Sequence, residues 1–85
     1  MGSKIVVKSK NNTFLHKWFM TNEVIYEYAE IENWLIENGC KYKFDFFGER
    51  SSLSTRLNSI EFEKDEDCNL FRLIFGHKYR IEEKC

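Results

Sequence analysis

The chain reads as an α+β fold: a mostly antiparallel sheet of five to six strands in ββαβββ order, with one helix packed on one face. Three observations predict it. Residues 40–47 alternate Cys40, Tyr42, Phe44 and Phe46 against Lys41, Lys43 and Asp45, the period of a half-buried strand. Val24, Tyr28, Ile31 and Leu35 fall at i, i+4, i+7 and i+11, the period of one helix face. Turn-forming residues separate the remaining β-branched and aromatic runs. With 85 residues the chain makes a single domain over 1–85.

Taken in order, residues 4–8 carry β-branched Ile5, Val6 and Val7 and predict a strand. Residues 10–13 (Lys-Asn-Asn-Thr) predict a turn, since Asn tolerates positive φ, and residues 14–20 a second strand that closes a hairpin on the first. The helical stripe predicts a helix over 22–38. Thr21 is its N-cap, Met20 and Ile25 form a hydrophobic staple, and Asn38-Gly39 its C-terminal stop. The strand propensity of Val24-Ile25-Tyr26 leaves a start nearer Tyr28 open. Residues 49–59 are Ser-rich and read as a loop or one short helical turn, with Leu53 and Leu57 four apart. Residues 59–63 and 70–75 flank a polar stretch and predict a hairpin with an acidic tip. Gly76 then allows a bend before a last alternating run over 77–82. The sheet side facing the helix would carry Ile5, Val7, Tyr42, Phe44, Phe46, Phe62, Phe71, Leu73 and Phe75.

Composition narrows the function classes. Apolar residues make up 42% and charged residues 32%, with a formal net charge of −1, so the chain is neither disordered nor a strongly basic or acidic binder. No apolar run exceeds three residues, which predicts no membrane span and no secretory leader. Cys40, Cys68 and Cys85 are an odd set without a C-x-x-C pair; they predict a reducing, cytoplasmic setting rather than a disulfide scaffold. Their spacing, with His16 and His77, does not pair ligands as a zinc site does, so no metal is expected. Lys, Asn, Ile, Phe and Tyr supply 35 residues, against one Ala and no Pro. That bias implies A/T-rich codons, as in a low-GC bacterium or a phage.

Catalytic signatures are lacking. The four glycines are isolated, so no phosphate-cradling loop is present, and neither H-E-x-x-H nor G-x-S-x-G occurs. His16 and His77 with Glu49 or Asp45 are the nearest to an acid–base set, and Ser51, Ser52 and Ser54 have no identifiable base. The expectation is a protein that is not an enzyme and takes no cofactor.

Charge is segregated by block. Residues 1–20 hold four Lys and no acid, whereas residues 21–40 hold five Glu and no Lys or Arg. A helix bearing Glu23, Glu27, Glu30 and Glu37 without i,i+4 partners predicts docking onto a basic surface of another protein, as a small accessory or inhibitory factor does. Glu63, Asp65, Glu66 and Asp67 would extend that contact, and Trp34, beside the apolar stripe, is the candidate anchor.

The alternative is nucleic-acid binding on the uncovered sheet side, assigned Lys4, Lys8, Lys41, Lys43, Arg72, Lys78 and Arg80, with Lys41, Lys43, Lys78 and Arg80 as the contacts. Two basic–aromatic runs, His16-Lys17-Trp18 and His77-Lys78-Tyr79-Arg80, are expected on neighbouring strands there. Against it, Tyr42, Phe44 and Phe46 alternate out of phase with the lysines, leaving Trp18, Tyr26 and Tyr79 as the rings expected to be exposed. An uncapped sheet edge also allows homodimerisation with either function.

Overall fold

The structure, a computed structural model, describes residues 3–47 and 53–83. The elements run β1 (Ser3–Lys8), β2 (His16–Phe19), β3 (Val24–Tyr26), α1 (Ala29–Glu37), β4 (Tyr42–Phe46), β5 (Ser54–Phe62), α2 (Asp65–Phe75) and β6 (Arg80–Glu83). All strand pairings are antiparallel within one six-stranded sheet, so the α+β class holds. Among the described residues the element order is βββαββαβ, with two helices where the sequence predicts one. Expectations for Gly48, Glu49, Ser51, Ser52 and Cys85 lie outside the described residues.

β5 organises the sheet. Along one edge it pairs with β4, from Tyr42 opposite Phe62 to Phe46 opposite Leu57. Along the other it is divided: Ser54–Arg56 pair with β2 and Ile60–Phe62 pair with β1. β1 and β2 therefore run in the same direction beside β5, not as the expected hairpin, and meet only at a bridge between Lys8 and Phe14. Residues 9–13 form the excursion between them. Asn12 there takes φ +64°, and Ser9 and Thr13 close its neck through backbone and hydroxyl hydrogen bonds. On its other edge β1 pairs with β6, from Ile5 opposite Glu83 to Lys8 opposite Arg80.

A bulge in β5 sets which side chains face inward. Asp45 opposes Ser59 but Phe46 opposes Leu57, so Asn58 is an extra residue. Leu57 and Ile60 thus share the inner face although they lie three apart, and both are fully buried. Asp45 holds the bulge, accepting hydrogen bonds from Asn58 at 3.0 Å and from the buried Ser59 at 3.3 Å.

The helix over 22–38 is shortened by a competing hairpin. β-branched Val24 and Ile25 with Tyr26 pair with β2 through a turn in which the Met20 amide donates to Glu23 at 2.9 Å. Thr21 is consequently no N-cap and Met20 and Ile25 no staple; the N-cap is Tyr28, with no side-chain cap bond. The buried stripe begins at Tyr28 and continues through Ile31 and Leu35, while Val24 is exposed. The C-terminal stop is as expected. Gly39 has φ +64°, its amide donates to Ile36, and the Cys40 amide donates to Leu35, a Schellman closure.

The expected second hairpin is replaced by α2. Phe71 and Phe75 satisfy strand and helix periods alike, so Leu73 discriminates. A strand would bury it beside them; in the helix it is 78% exposed, while Cys68, Phe71 and Phe75 are buried. Asp65, Glu66 and Asp67 fall in the first turn of α2, where the helix dipole favours acids. The loop expected over 49–59 gives way to β5 from Ser54 onward, paired on both edges.

Both helices pack on the same sheet face. Their buried residues join Ile5, Val7, Leu15, Leu57, Ile60 and Phe62 in one core. Of the residues expected to line it, Leu73 is outside and Phe46 is 37% exposed at its margin. Phe71→Ala should cost about 3–5 kcal/mol in urea denaturation. Leu73→Glu should change stability by no more than about 0.5 kcal/mol; a strand over 70–75 would make both costly.

Candidate functional site

α1 and α2 lie antiparallel. Glu30, at the start of α1, accepts a 2.6 Å ion pair from Lys78 just beyond the end of α2, and the Trp34 ring packs edge-on to Phe71 and Phe75 at 5.8 and 5.7 Å. Between them runs an open groove of about 690 Å³ lined by Glu30, Asn33, Trp34, Glu37, Ile74, Phe75, His77 and Lys78. Leu70, Leu73 and Ile74, at i, i+3 and i+4, form an exposed apolar ridge on α2. Trp34 itself is half-buried against the core.

The acidic residues predicted as one contact surface are distributed over three places. Glu30 and Glu37 join Trp34 at the groove. Glu23 and Glu27 flank β3 instead of lying on the helix, and Glu27 is engaged with His16, accepting from its amide at 2.7 Å and lying 3.5 Å from its Nδ1. Glu63 precedes α2, and Asp65, Glu66 and Asp67 form its first turn, with Asp65 accepting from Ser3. Asp67 reaches the far end of α1, where burial and then its charge raise the Cys40 thiol pKa. Glu37 stands apart from the rest: it lies in the last turn of α1, which holds no basic residue, against the negative end of the helix dipole.

Of the residues assigned to nucleic acid, the structure brings only some to the uncovered sheet side. Lys43, within β4 and opposite Glu61, and Lys41, just before β4, lie on that side, and Arg80 lies opposite Lys8. Lys78 instead belongs to the helix layer, where its hydrogen bond and charge contact with Glu30 raise its pKa, and Arg72 is on α2, ion-paired with Glu83 at 2.8 Å. The run 77–80 spans the turn into β6, so it does not lie beside 16–18 on a neighbouring strand, and Tyr79 packs against Phe75 rather than projecting as an exposed ring.

Sequence reasoning missed Phe14, Phe47 and Arg56 on the same side. Arg56 falls in the stretch 49–59 that the sequence predicts as a loop or short helical turn, whereas it stands opposite His16 on β5 with its guanidinium carbon 3.8 Å from the Phe47 ring centre and 5.2 Å from that of Phe14. The Phe46-Phe47 doublet carried a usable signal, because consecutive strand residues face opposite sides. His16 and Trp18 stack at 4.9 Å on this side too.

Burial raises the pKa of several groups in and around the core. Burial first, then Glu32 and Tyr26, pushes the Tyr28 phenol from 10.0 up to about 12. Burial likewise raises Tyr42, Tyr79 and the Cys68 thiol. Among the described residues no three His, Cys, Asp or Glu group to hold a metal, and no helix is long and apolar enough to cross a membrane. No protein family, curated protein or solved structure matches the chain.

Because the folded state favours the neutral Tyr28 phenol, its stabilising contribution is complete below pH 10 and is lost as pH rises from 10.0 through about 12. Tyr28→Phe should flatten the alkaline loss of stability across that window and remove the latest phenolate absorbance step.

Proposed function

We propose that the protein is a non-enzymatic interaction module whose helix layer captures a basic segment of a partner protein, in the manner of an accessory or inhibitory factor. The observation that carries this reading is the groove between α1 and α2, where a half-buried Trp34 meets Glu30 and Glu37 beside the exposed Leu70–Leu73–Ile74 ridge. An exposed apolar ridge costs solubility and marks a contact surface when polar groups rim it. Trp is the side chain most enriched among residues that dominate interface energy. Glu37 supplies the charge preference, since a partner cation there would offset both its own charge and the helix dipole. The acids at the start of α2 extend the same sign toward the end of the groove near Cys40 and contribute to steering rather than to contact. Glu23 and Glu27 take no part in this surface.

Glu37→Lys separates binding from folding. It should raise stability by about 0.3–1 kcal/mol through the helix dipole, yet weaken capture of the partner by about tenfold or more. Leu73→Lys should likewise leave the fold intact and abolish capture, while Lys8→Glu on the opposite layer leaves it unchanged. Binding of a peptide from the captured protein's basic surface should fall as salt rises. Capture that survives both Glu37→Lys and Leu73→Lys overturns the reading.

A further inference from the structure

We propose that the uncovered face of the sheet binds single-stranded nucleic acid along the row Arg80, Lys8, Phe14, Arg56 and Phe47. The row follows from the pairing. Arg80 opposes Lys8 across β6 and β1, Lys8 bridges to Phe14, Phe14 stands two residues before His16, which opposes Arg56, and the Phe47 amide donates to the carbonyl of Arg56. Four strand spacings of about 4.8 Å make it about 19 Å long, a span for a few nucleotides.

Rings and cations interleave along it. The Lys8 ammonium lies 4.8 Å from the Phe14 ring centre, the Arg56 guanidinium covers both phenylalanines, and the two rings meet edge to face at 5.1 Å. Unpaired bases stack on aromatic faces and on guanidinium planes while phosphates take the cations, the two contacts that single-strand binders combine on one surface. The His16–Trp18 stack continues the aromatic surface from the Arg56 position along β2.

The charges here are not explained by the fold. Like charges directly opposite one another destabilise a sheet, and Lys8 faces Arg80 in register. Lysines that guard against edge pairing sit on edge strands; Arg80 is on the edge strand β6, but Lys8 is flanked by β6 and by Phe14, and β5, which carries Arg56, is paired on both sides. Among the described residues, Lys8, Arg56 and Arg80 have no ion-pair partner. Of the acids of this face, Glu82 stands opposite Val6, one step along from the Lys8–Arg80 pair and ion-paired with neither, while Glu61 lies between Lys4 and Lys43, Glu27 on His16, and Asp45 at the bulge. A polyanion with exposed rings fits the row; a duplex hides its base faces, and an acidic peptide has none.

The test is fluorescence anisotropy with a labelled oligothymidylate of about 15 nucleotides, its duplex counterpart and polyglutamate, each at low and moderate salt. The single strand should bind tightest, with affinity falling as salt rises. Lys8→Glu should weaken it about tenfold and flatten the salt dependence. Arg56→Lys, which keeps the charge but loses the plane, should weaken it while leaving the salt slope intact. Lys8→Gln replaces Lys8→Glu should the latter not fold. Leu73→Gln, on the helix layer, should leave binding unchanged, so failure here is separable from failure of the protein-capture reading. No retention of the single strand at low salt, equal affinity for duplex or polyglutamate, or indifference to Lys8→Glu or Lys8→Gln and to Arg56→Lys each overturns the proposal.

Discussion

β5 carries two different neighbours on one edge, and the remaining architecture follows from how that edge is shared. Its first three residues belong to β2 and its last three to β1, so β1 must leave the edge where β2 takes over. Between the two, Asn58 inserts an extra residue opposite β4. Side-chain phase in a strand alternates strictly, and a slip of one residue sends every later side chain to the other face. The bulge converts what would be a fault into a correction, because it returns Ile60 and Phe62 to the face already occupied by Leu57. Asp45, bonded to Asn58 and Ser59, ties that correction to the neighbouring strand.

With the inner face continuous, both helices have one apolar surface to cover. They lie antiparallel over it and present a groove outward, while the other side of the sheet keeps its rings and cations. Most local features agree with this arrangement, including the acids at the start of α2 and the glycine closure of α1. Two do not. Glu37 opposes its own helix dipole, and Lys8 opposes Arg80. Departures of this kind from local consistency concentrate at functional positions in natural proteins. The two mark opposite layers: Glu37 lies on the helix layer proposed to capture a protein segment, and Lys8 on the sheet face proposed to bind nucleic acid.

The legibility of the sequence depended on whether two periods competed. Residues 40–47 alternate without ambiguity, and β4 forms within them. Tyr28, Ile31 and Leu35 form a helical stripe, but Val24 extends it falsely because four-residue spacing also falls on the same side of a strand. Phe71 and Phe75 have that same double fit, and only the exposure of Leu73 separates helix from strand. The candidate site was legible in part for the same reason. Trp34 and Glu37 stand three apart and Glu30 four before Trp34, so a correct helix brings them together, whereas Glu23 and Glu27 leave with the strand.

By itself the sequence determined the α+β class, the clear alternating strand, the glycine stop after α1 and the segregation of charge into blocks. Each of these is set by neighbours within a few residues, through side-chain period, backbone freedom or composition. Only the tertiary structure decided that residues 54–62 are a strand, that 65–75 are a helix, and which charges share a surface. Arg56 meets Phe14 and Phe47 because three separate segments converge across the sheet. Glu30 pairs with Lys78 because two helices run antiparallel. Pairing over such separations is selected by the shared core, and no local pattern records it.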